Sequence, residues 1–287
     1  MMPSANETWL NLLETVLQGS ETQPRGLKTR EVLGQRTVFD MSRPVITSPE
    51  RNLGYRFLAA EAWWILTGDN RVRSIAKYSK IISKFSDDGF TFRGAYGPPV
   101  VDQLGYVIDS LFKDRDTRQS VLTIWRPRPG PSKDIPCTVS LQWIIRQVDG
   151  EQCLHCFAGM RSSDTWLGVP YDVFNFSMIS GFVLASLLTR CPSLNLRLGH
   201  LFFYSTSQHL YEPNWEQARD CVFERKELFT YLPLDVQPFV GDPWRLVEHL
   251  KALADADREK LKSSWLVELL DLEPGGEQTA ARSGDTT

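Results

Sequence analysis

One apolar run constrains the fold of this chain more than any other segment. Residues 173–188 contain nothing more polar than Asn175, Ser177, Ser180 and Ser186. The run is short for a bilayer span, which needs about 20 residues. It is apolar on every side, so as a helix it must be wrapped by other elements rather than lie on a surface. With 287 residues the chain is long enough to build that wrapping.

The rest of the composition fits a globular protein: 42% hydrophobic, 23% charged, formal net charge −3. Holding a nucleic-acid backbone needs a clustered basic face, so neither nucleic acid nor a membrane is expected as partner. A bound anion is expected to be small and held by a few convergent arginines. Five scattered cysteines outline no secreted disulfide framework. Glu7 and Glu14 interrupt the first residues, which therefore read as no signal peptide. A cytoplasmic location is the expectation.

Periodicity predicts a helix over 9–17 with its N-cap near Ser4 or Asn6, a strand over 32–41, and a helix over 55–67 ending before Gly68. Residues 83–99 read as loop, 101–112 as an amphipathic helix, 120–125 as a strand, and the proline-rich 126–136 as loop. Strands over 139–148 and 152–157 pair around Asp149-Gly150, and another strand covers 194–204. Two helices are expected within 242–272. No repeat or central linker appears, so residues 1–272 read as one α+β domain, followed by a disordered tail over 273–287.

The chemistry concentrates between Met160 and Asp172, on the connection into the apolar helix. Arg161-Ser162 ends a strand where a guanidinium fork and a hydroxyl can meet a phosphate. Arg25 and Arg118 are candidates for the same anion; singly, each reads more readily as a solvated surface residue or an ion-pair partner. Cys137 follows Pro136 at a strand entrance, a position that suits a thiolate nucleophile and also suits a small buried hydrophobe. Glu61, among Ala59, Ala60, Ala62, Trp63 and Trp64, is either a carboxyl with a raised pKa or a residue at its helix's polar edge. Cys153-Leu154-His155-Cys156 has half the spacing of a zinc site. In a strand its ligands would point to opposite faces, and no second half exists, so no metal is expected.

Taken in order, these motifs resemble the thymidylate synthase family over most of the chain, from about Arg25 to Trp215. Glu61 to Asp69 is similar to the family's Glu-containing helix, Thr117-Arg118-Gln119 to its Ser-Arg-Arg step, and Pro136-Cys137 to its nucleophile. Arg161-Ser162-Ser163-Asp164 with Leu167-Gly168, and His209-Leu210-Tyr211, resemble its remaining signatures. The resemblance implies a large mixed β-sheet packed by helices, with a sheet face forming a homodimer interface, and methylenetetrahydrofolate as co-substrate. It also implies roles. Cys137 adds to C6 of a pyrimidine 5′-monophosphate, and Glu61 organises proton transfer. Arg25, Arg161 and Ser162 hold the phosphate, with Arg118 reaching in from the other subunit. His209 and Tyr211 bind the sugar. Asp164, Leu167, Gly168 and Tyr171 form the folate pocket. Gln119, where the family has a second arginine, implies one fewer phosphate contact.

Position 172 departs from the family. Thymidylate synthases carry Asn there, and this chain has Asp. Cytosine presents an N3 acceptor beside an N4 amino donor, and a carboxyl group can accept from N4 while passing a proton to N3. That substitution, together with Cys137-Thr138 where the synthases have Cys-His, resembles the CMP and dCMP hydroxymethylase branch. The helix N-terminus at Asp172 is expected to favour its charged form. The chain has no Trp between Trp64 and Trp125, where the synthases shield the C5 methylene, so water can reach that carbon. A 5-hydroxymethyl product is therefore expected. A methyltransferase on the same scaffold, and a nucleotide-binding protein without catalysis, are the alternatives. Nothing in the sequence reads the 2′ position of the sugar.

Overall fold

The computed structural model describes residues 3–127, 130–227, 233–262 and 264–273. Its helices are α1 (Ala5–Leu17), α2 (Tyr55–Leu66), α3 (Val72–Ile75), α4 (Gly97–Lys113), α5 (Val169–Arg190), α6 (Trp215–Glu224), α7 (Trp244–Ala254), α8 (Arg258–Leu261) and α9 (Val267–Asp271). The strands are β1 (Ser20–Thr22), β2 (Thr29–Asp40), β3 (Val121–Thr123), β4 (Thr138–Val148), β5 (Glu151–Met160), β6 (Ser163–Asp164) and β7 (Leu196–Tyr211). They form one mixed sheet in the order β1-β2-β7-β5-β4-β3, with β6 also paired to β7. The β5–β7 and β6–β7 pairings are parallel; the others are antiparallel.

The apolar run forms α5, and nearly all of its residues from Val169 to Leu188 are buried. By composition alone the helix is long and apolar enough to cross a membrane, with mean hydropathy 1.4. Here 83% of that window is buried inside the protein, so the helix serves as the core. Its hydroxyls are reconciled with an apolar setting by bonding back along the helix: Ser177, Ser180 and Ser186 donate to carbonyls four residues earlier at 2.7–2.8 Å. The indole of Trp143 on β4 donates to Ser180 Oγ at 2.9 Å, tying the helix to the sheet. Pro170 in the first turn sets the helix start, where no backbone donor is lost.

The other sheet face carries a row of aromatic and aliphatic side chains in register. Val38 pairs Phe202, Phe202 pairs Phe157, Phe157 pairs Gln142, and Gln142 pairs Val121. Phe157 and Phe202 stack at 4.5 Å between ring centroids, and Tyr204 beside them is exposed.

Several boundaries differ from the sequence expectation. β7 continues to Tyr211, well past residue 204, because Ser205 and Gln208 are buried polar residues that conceal the strand's alternation. The 242–272 region holds three helices, two of them four and five residues long: Ala256, with a left-handed backbone (φ 59°), separates α7 from α8, and α8 ends at Leu261, before α9 begins at Val267. The short elements α3, β1 and β6 lie below the length at which periodicity registers. Ser4 is the N-cap of α1, accepting the Glu7 N–H at 3.0 Å. Asp149 and Gly150 take positive φ in the β4–β5 turn, as a tight hairpin requires. The expected disordered tail falls, beyond Glu273, outside the described residues.

Candidate active site

The sheet's pairing gathers most of the singled-out residues past one of its ends. β5 and β7 run parallel, so Arg161 after β5 and His209 and Tyr211 in β7 project toward the same end. β4 is antiparallel to β5 and begins there, which places Cys137 beside Arg161; the Arg161 N–H donates to the Cys137 carbonyl at 2.9 Å. A register irregularity between Thr138 and Ser140 bends the strand immediately after the cysteine. β6 pairs Asp164 with His209, locking the Arg-Ser-Ser-Asp segment to the His-Leu-Tyr segment. β2 pairs Thr29 with Tyr211, which brings in the turn that carries Arg25.

Arg161 acts first on the loop of Cys137. Its Nε donates to the Pro136 carbonyl at 2.9 Å and its Nη2 to the Ile135 carbonyl at 2.9 Å. The same Nη2 lies 3.7 Å from Cys137 Sγ, and the guanidinium sits 5.8 Å from the Trp125 ring centre. Nη1 is used in none of these contacts. Burial pushes the Cys137 thiol up, opposed by Arg161 and Arg25 and reinforced by Asp172 and Asp164. The resting group is therefore the thiol, with a cation at hand for the thiolate.

Asp172 and Asp164 lie within electrostatic reach of Cys137, and Glu61 within reach of Asp172. Burial pushes the Glu61 carboxyl up to about 7, against a 2.7 Å hydrogen bond donated by Asn175 Nδ2. Burial also raises Asp172 well above the usual carboxylate range, and Glu61 and Asp164 add to it. The expectation of a charged Asp172 is thereby overturned. A helix N-terminus contributes about 0.3–1 kcal/mol at typical sites, less than desolvation beside two other carboxylates. Burial and both neighbouring carboxyls favour the protonated form of Asp172.

Asp164 Oδ1 accepts the Trp166 and Leu167 N–H groups at 2.8 and 2.9 Å, shaping the turn into α5. Its Oδ2 is buried without a hydrogen-bond partner among the described residues. Gly168 keeps the turn tight: a Cβ there would come within 3.0 Å of the Asp164 carbonyl and 3.5 Å of Asp172 Oδ2. Leu167 is 51% exposed, and Tyr171 packs edge-on against Phe57 at 5.3 Å. An orphaned buried acceptor beside an exposed apolar side chain fits the donor edge and flat body of a pterin. Ser162 Oγ lies 3.5 Å from His209 Nδ1, and His209 meets Tyr211 edge-on at 5.1 Å. Arg25 is exposed on its turn, with positive φ (55°).

Arg118 is not brought to Cys137 within the chain. Its carbonyl accepts from Gln142 Nε2 at 2.8 Å, and Gln142 is five residues beyond Cys137, about 17 Å along the strand. Three further residues belong to the site although sequence reasoning passed over them. The Tyr96 hydroxyl accepts the Thr138 N–H at 3.2 Å and feels both Asp172 and Cys137. Asn175 holds Glu61. Arg51 donates to the Trp166 carbonyl at 2.9 Å and stacks 5.2 Å from the Trp166 ring and 5.9 Å from Tyr171. The one available signal was spacing: Asn175 follows Asp172 by three residues on the same helix face. No group of three or more His, Cys, Asp or Glu side chains is arranged to hold a metal among the described residues.

Compared with known protein families, residues 7–240 match the family model described as thymidylate synthase. The match contains every site residue named above and excludes α7, α8 and α9.

Proposed function

The chain belongs to the thymidylate synthase family, and from that premise we propose that it is a cytidylate 5-hydroxymethyltransferase acting on CMP or dCMP. The family's chemistry is folate-dependent one-carbon transfer to a pyrimidine nucleotide, with methylenetetrahydrofolate as co-substrate, and its members are homodimers. The observation that carries the choice of base is Asp172, a carboxyl favoured in its protonated form and within electrostatic reach of Cys137.

In this reading Arg25, Ser162 and the Nη1 side of Arg161 hold the 5′-phosphate, while His209 and Tyr211 bond the sugar. The Cys137 thiol loses its proton and its sulfur adds to C6 of the base, with the nearby Arg161 stabilising the thiolate. Electron density moves onto the N3–C4 amidine side, and Asp172 gives its proton to N3. An asparagine cannot make that transfer, because an amide N–H is not acidic. Bound methylenetetrahydrofolate supplies the one-carbon unit that C5 takes up, and Asp164, Leu167, Gly168 and Tyr171, with Arg51 behind them, hold it. Glu61, with its carboxyl near neutrality, moves protons at the base. The C5 hydrogen then leaves as a proton while the bond from the new carbon to tetrahydrofolate breaks, water adds to the methylene left on C5, and departure of Cys137 restores the C5–C6 double bond. The sum is nucleotide, methylenetetrahydrofolate and water giving hydroxymethyl nucleotide and tetrahydrofolate, with no net redox change.

The sheet face with Phe157, Phe202 and Tyr204 is where this reading places the second copy of the chain. Arg118, remote from its own Cys137, would then reach the partner's phosphate site. The enzyme would work in the cytoplasm.

The test is to mix the protein with methylenetetrahydrofolate and each of CMP, dCMP, UMP and dUMP, and to identify the products by mass. Hydroxymethyl cytidylate with no dihydrofolate is expected. Methylcytidylate with dihydrofolate would make the protein a methyltransferase instead. Conversion of the uridylates alone would overturn the base assignment. Asp172→Asn should lower cytidylate turnover and shift preference toward the uridylates, and full activity of Cys137→Ala would end the covalent mechanism.

A further inference from the structure

Asp172 leaves part of the base discrimination unexplained. A carboxyl group that keeps its proton offers one donor and one acceptor, and exchanging its two oxygens lets it match either base. Cytosine takes the donor at N3 and fills the acceptor from N4–H; uracil fills the acceptor from N3–H and takes the donor at O4. Some other group must break the tie, and its polarity must be fixed.

Asn175 meets that requirement. It lies three residues after Asp172 on α5, on the same face, and is 2% exposed. Its Nδ2 donates to Glu61 Oε2 at 2.7 Å. In its charged form, above a pKa of about 7, the Glu61 carboxylate only accepts, so there the contact fixes the orientation of the amide. The oxygen, Oδ1, is then buried with no hydrogen-bond partner among the described residues. An acceptor buried in this way costs stability unless something donates to it. Glu61 is itself within electrostatic reach of Asp172, so Asn175, bonded to Glu61, stands beside the same carboxyl groups.

We propose that Asn175 is a second base-reading residue, its Oδ1 accepting the hydrogen of the exocyclic amino group that Asp172 does not take. The inference rests on the cytidylate reading above and deepens it. Cytosine then has both N4 hydrogens accepted, one by Asp172 and one by Asn175. Uracil would turn its O4 toward an acceptor that is held in place while Glu61 is charged, because flipping would face the amide oxygen against that carboxylate. Asp172 transfers the proton, and Asn175 rejects the wrong base.

The experiment is calorimetric binding of CMP and UMP to the wild-type protein and to Asn175→Leu, which keeps the volume and removes the acceptor. The readout is the ratio of the two affinities, which cancels any general loss from a displaced Glu61. The wild type should favour CMP, and the variant should lose about tenfold of that preference. A wild type that favours UMP would sink the base assignment itself. A wild type that favours CMP, with the ratio unchanged in Asn175→Leu, would overturn the role of Asn175 and leave the base assignment standing. A second measurement needs no variant: NMR of CMP labelled with nitrogen-15 at N4, bound to the wild-type protein. Two separate amino-proton signals, both shifted downfield, are expected. One proton left at its free-nucleotide position would overturn the proposal.

Discussion

The Glu273 carboxylate accepts the backbone N–H of Arg56 at 2.9 Å, capping helix α2 from 217 residues further along the chain. Gly54 precedes that helix and offers no side chain to its open donors. The cap therefore comes from beyond the family match, and α7 adds to it, with Arg56 Nε donating to the Ala254 carbonyl at 3.0 Å. Since α2 carries Glu61, the C-terminal segment supports the carboxyl cluster from behind. Glu273→Ala should lower stability by about 1 kcal/mol, seen as a lower urea midpoint with an unchanged slope. A chain ending at Leu272 should behave alike, and an unmoved midpoint in both would remove Glu273 as a cap.

Glu61 makes the fold pH-dependent in a definite direction. Its carboxyl is raised from 4.5 to about 7, so the folded state favours the protonated form. That contribution is complete below about 4.5 and is lost as pH rises through about 7. Glu61→Gln has no such term. Relative to wild type it should be close to neutral in stability at acid pH and gain about 3 kcal/mol above neutrality, while turnover collapses. Denaturant titrations on either side of the transition measure both limbs. Equal stability of the two proteins at every pH would contradict the burial assigned to Glu61.

Asp164 separates a structural task from a binding one, oxygen by oxygen. Asp164→Asn keeps an Oδ1 to accept the Trp166 and Leu167 N–H groups, and replaces the buried acceptor Oδ2 with a donor. Thermal stability should be nearly unchanged, whereas the KM for methylenetetrahydrofolate should rise about tenfold to a hundredfold. A loss of stability with folate KM intact would reassign Asp164 to the turn alone.

Arg118 offers a test of the dimer. If it serves the partner's phosphate site, Cys137→Ala and Arg118→Ala should each be nearly inactive alone. Mixed under conditions that exchange subunits, they should regain turnover, because one of the two sites in the mixed dimer has both residues intact. No recovery from subunits shown to have exchanged would place Arg118 outside the site.

The motifs that carry the chemistry are readable in the sequence because their spacing is short and their residue types are restrictive. Pro136-Cys137, Arg161-Ser162-Ser163-Asp164 and His209-Leu210-Tyr211 identify the family without coordinates. The run over 173–188 announces a buried helix because no other fate suits a helix apolar on every side. The end of β7 is not legible in sequence because Ser205 and Gln208, though buried, look like loop residues there, and only their hydrogen-bond partners in the fold account for them.

Other properties depend on which groups the fold places side by side. Read from sequence, Asp172 is a carboxylate at a helix start; in the structure burial, reinforced by Glu61, 111 residues earlier, and Asp164, favours its protonated form. Asn175 is unremarkable in an apolar run until Glu61 fixes its amide. Glu273 has no visible tie to α2 until the chain folds back on itself. Sequence determined which functional groups this protein owns and the local elements that carry them, because both follow from residue type and short-range periodicity. Tertiary structure decided their protonation and the direction of their donors and acceptors, because desolvation and electrostatic coupling depend on distance in space.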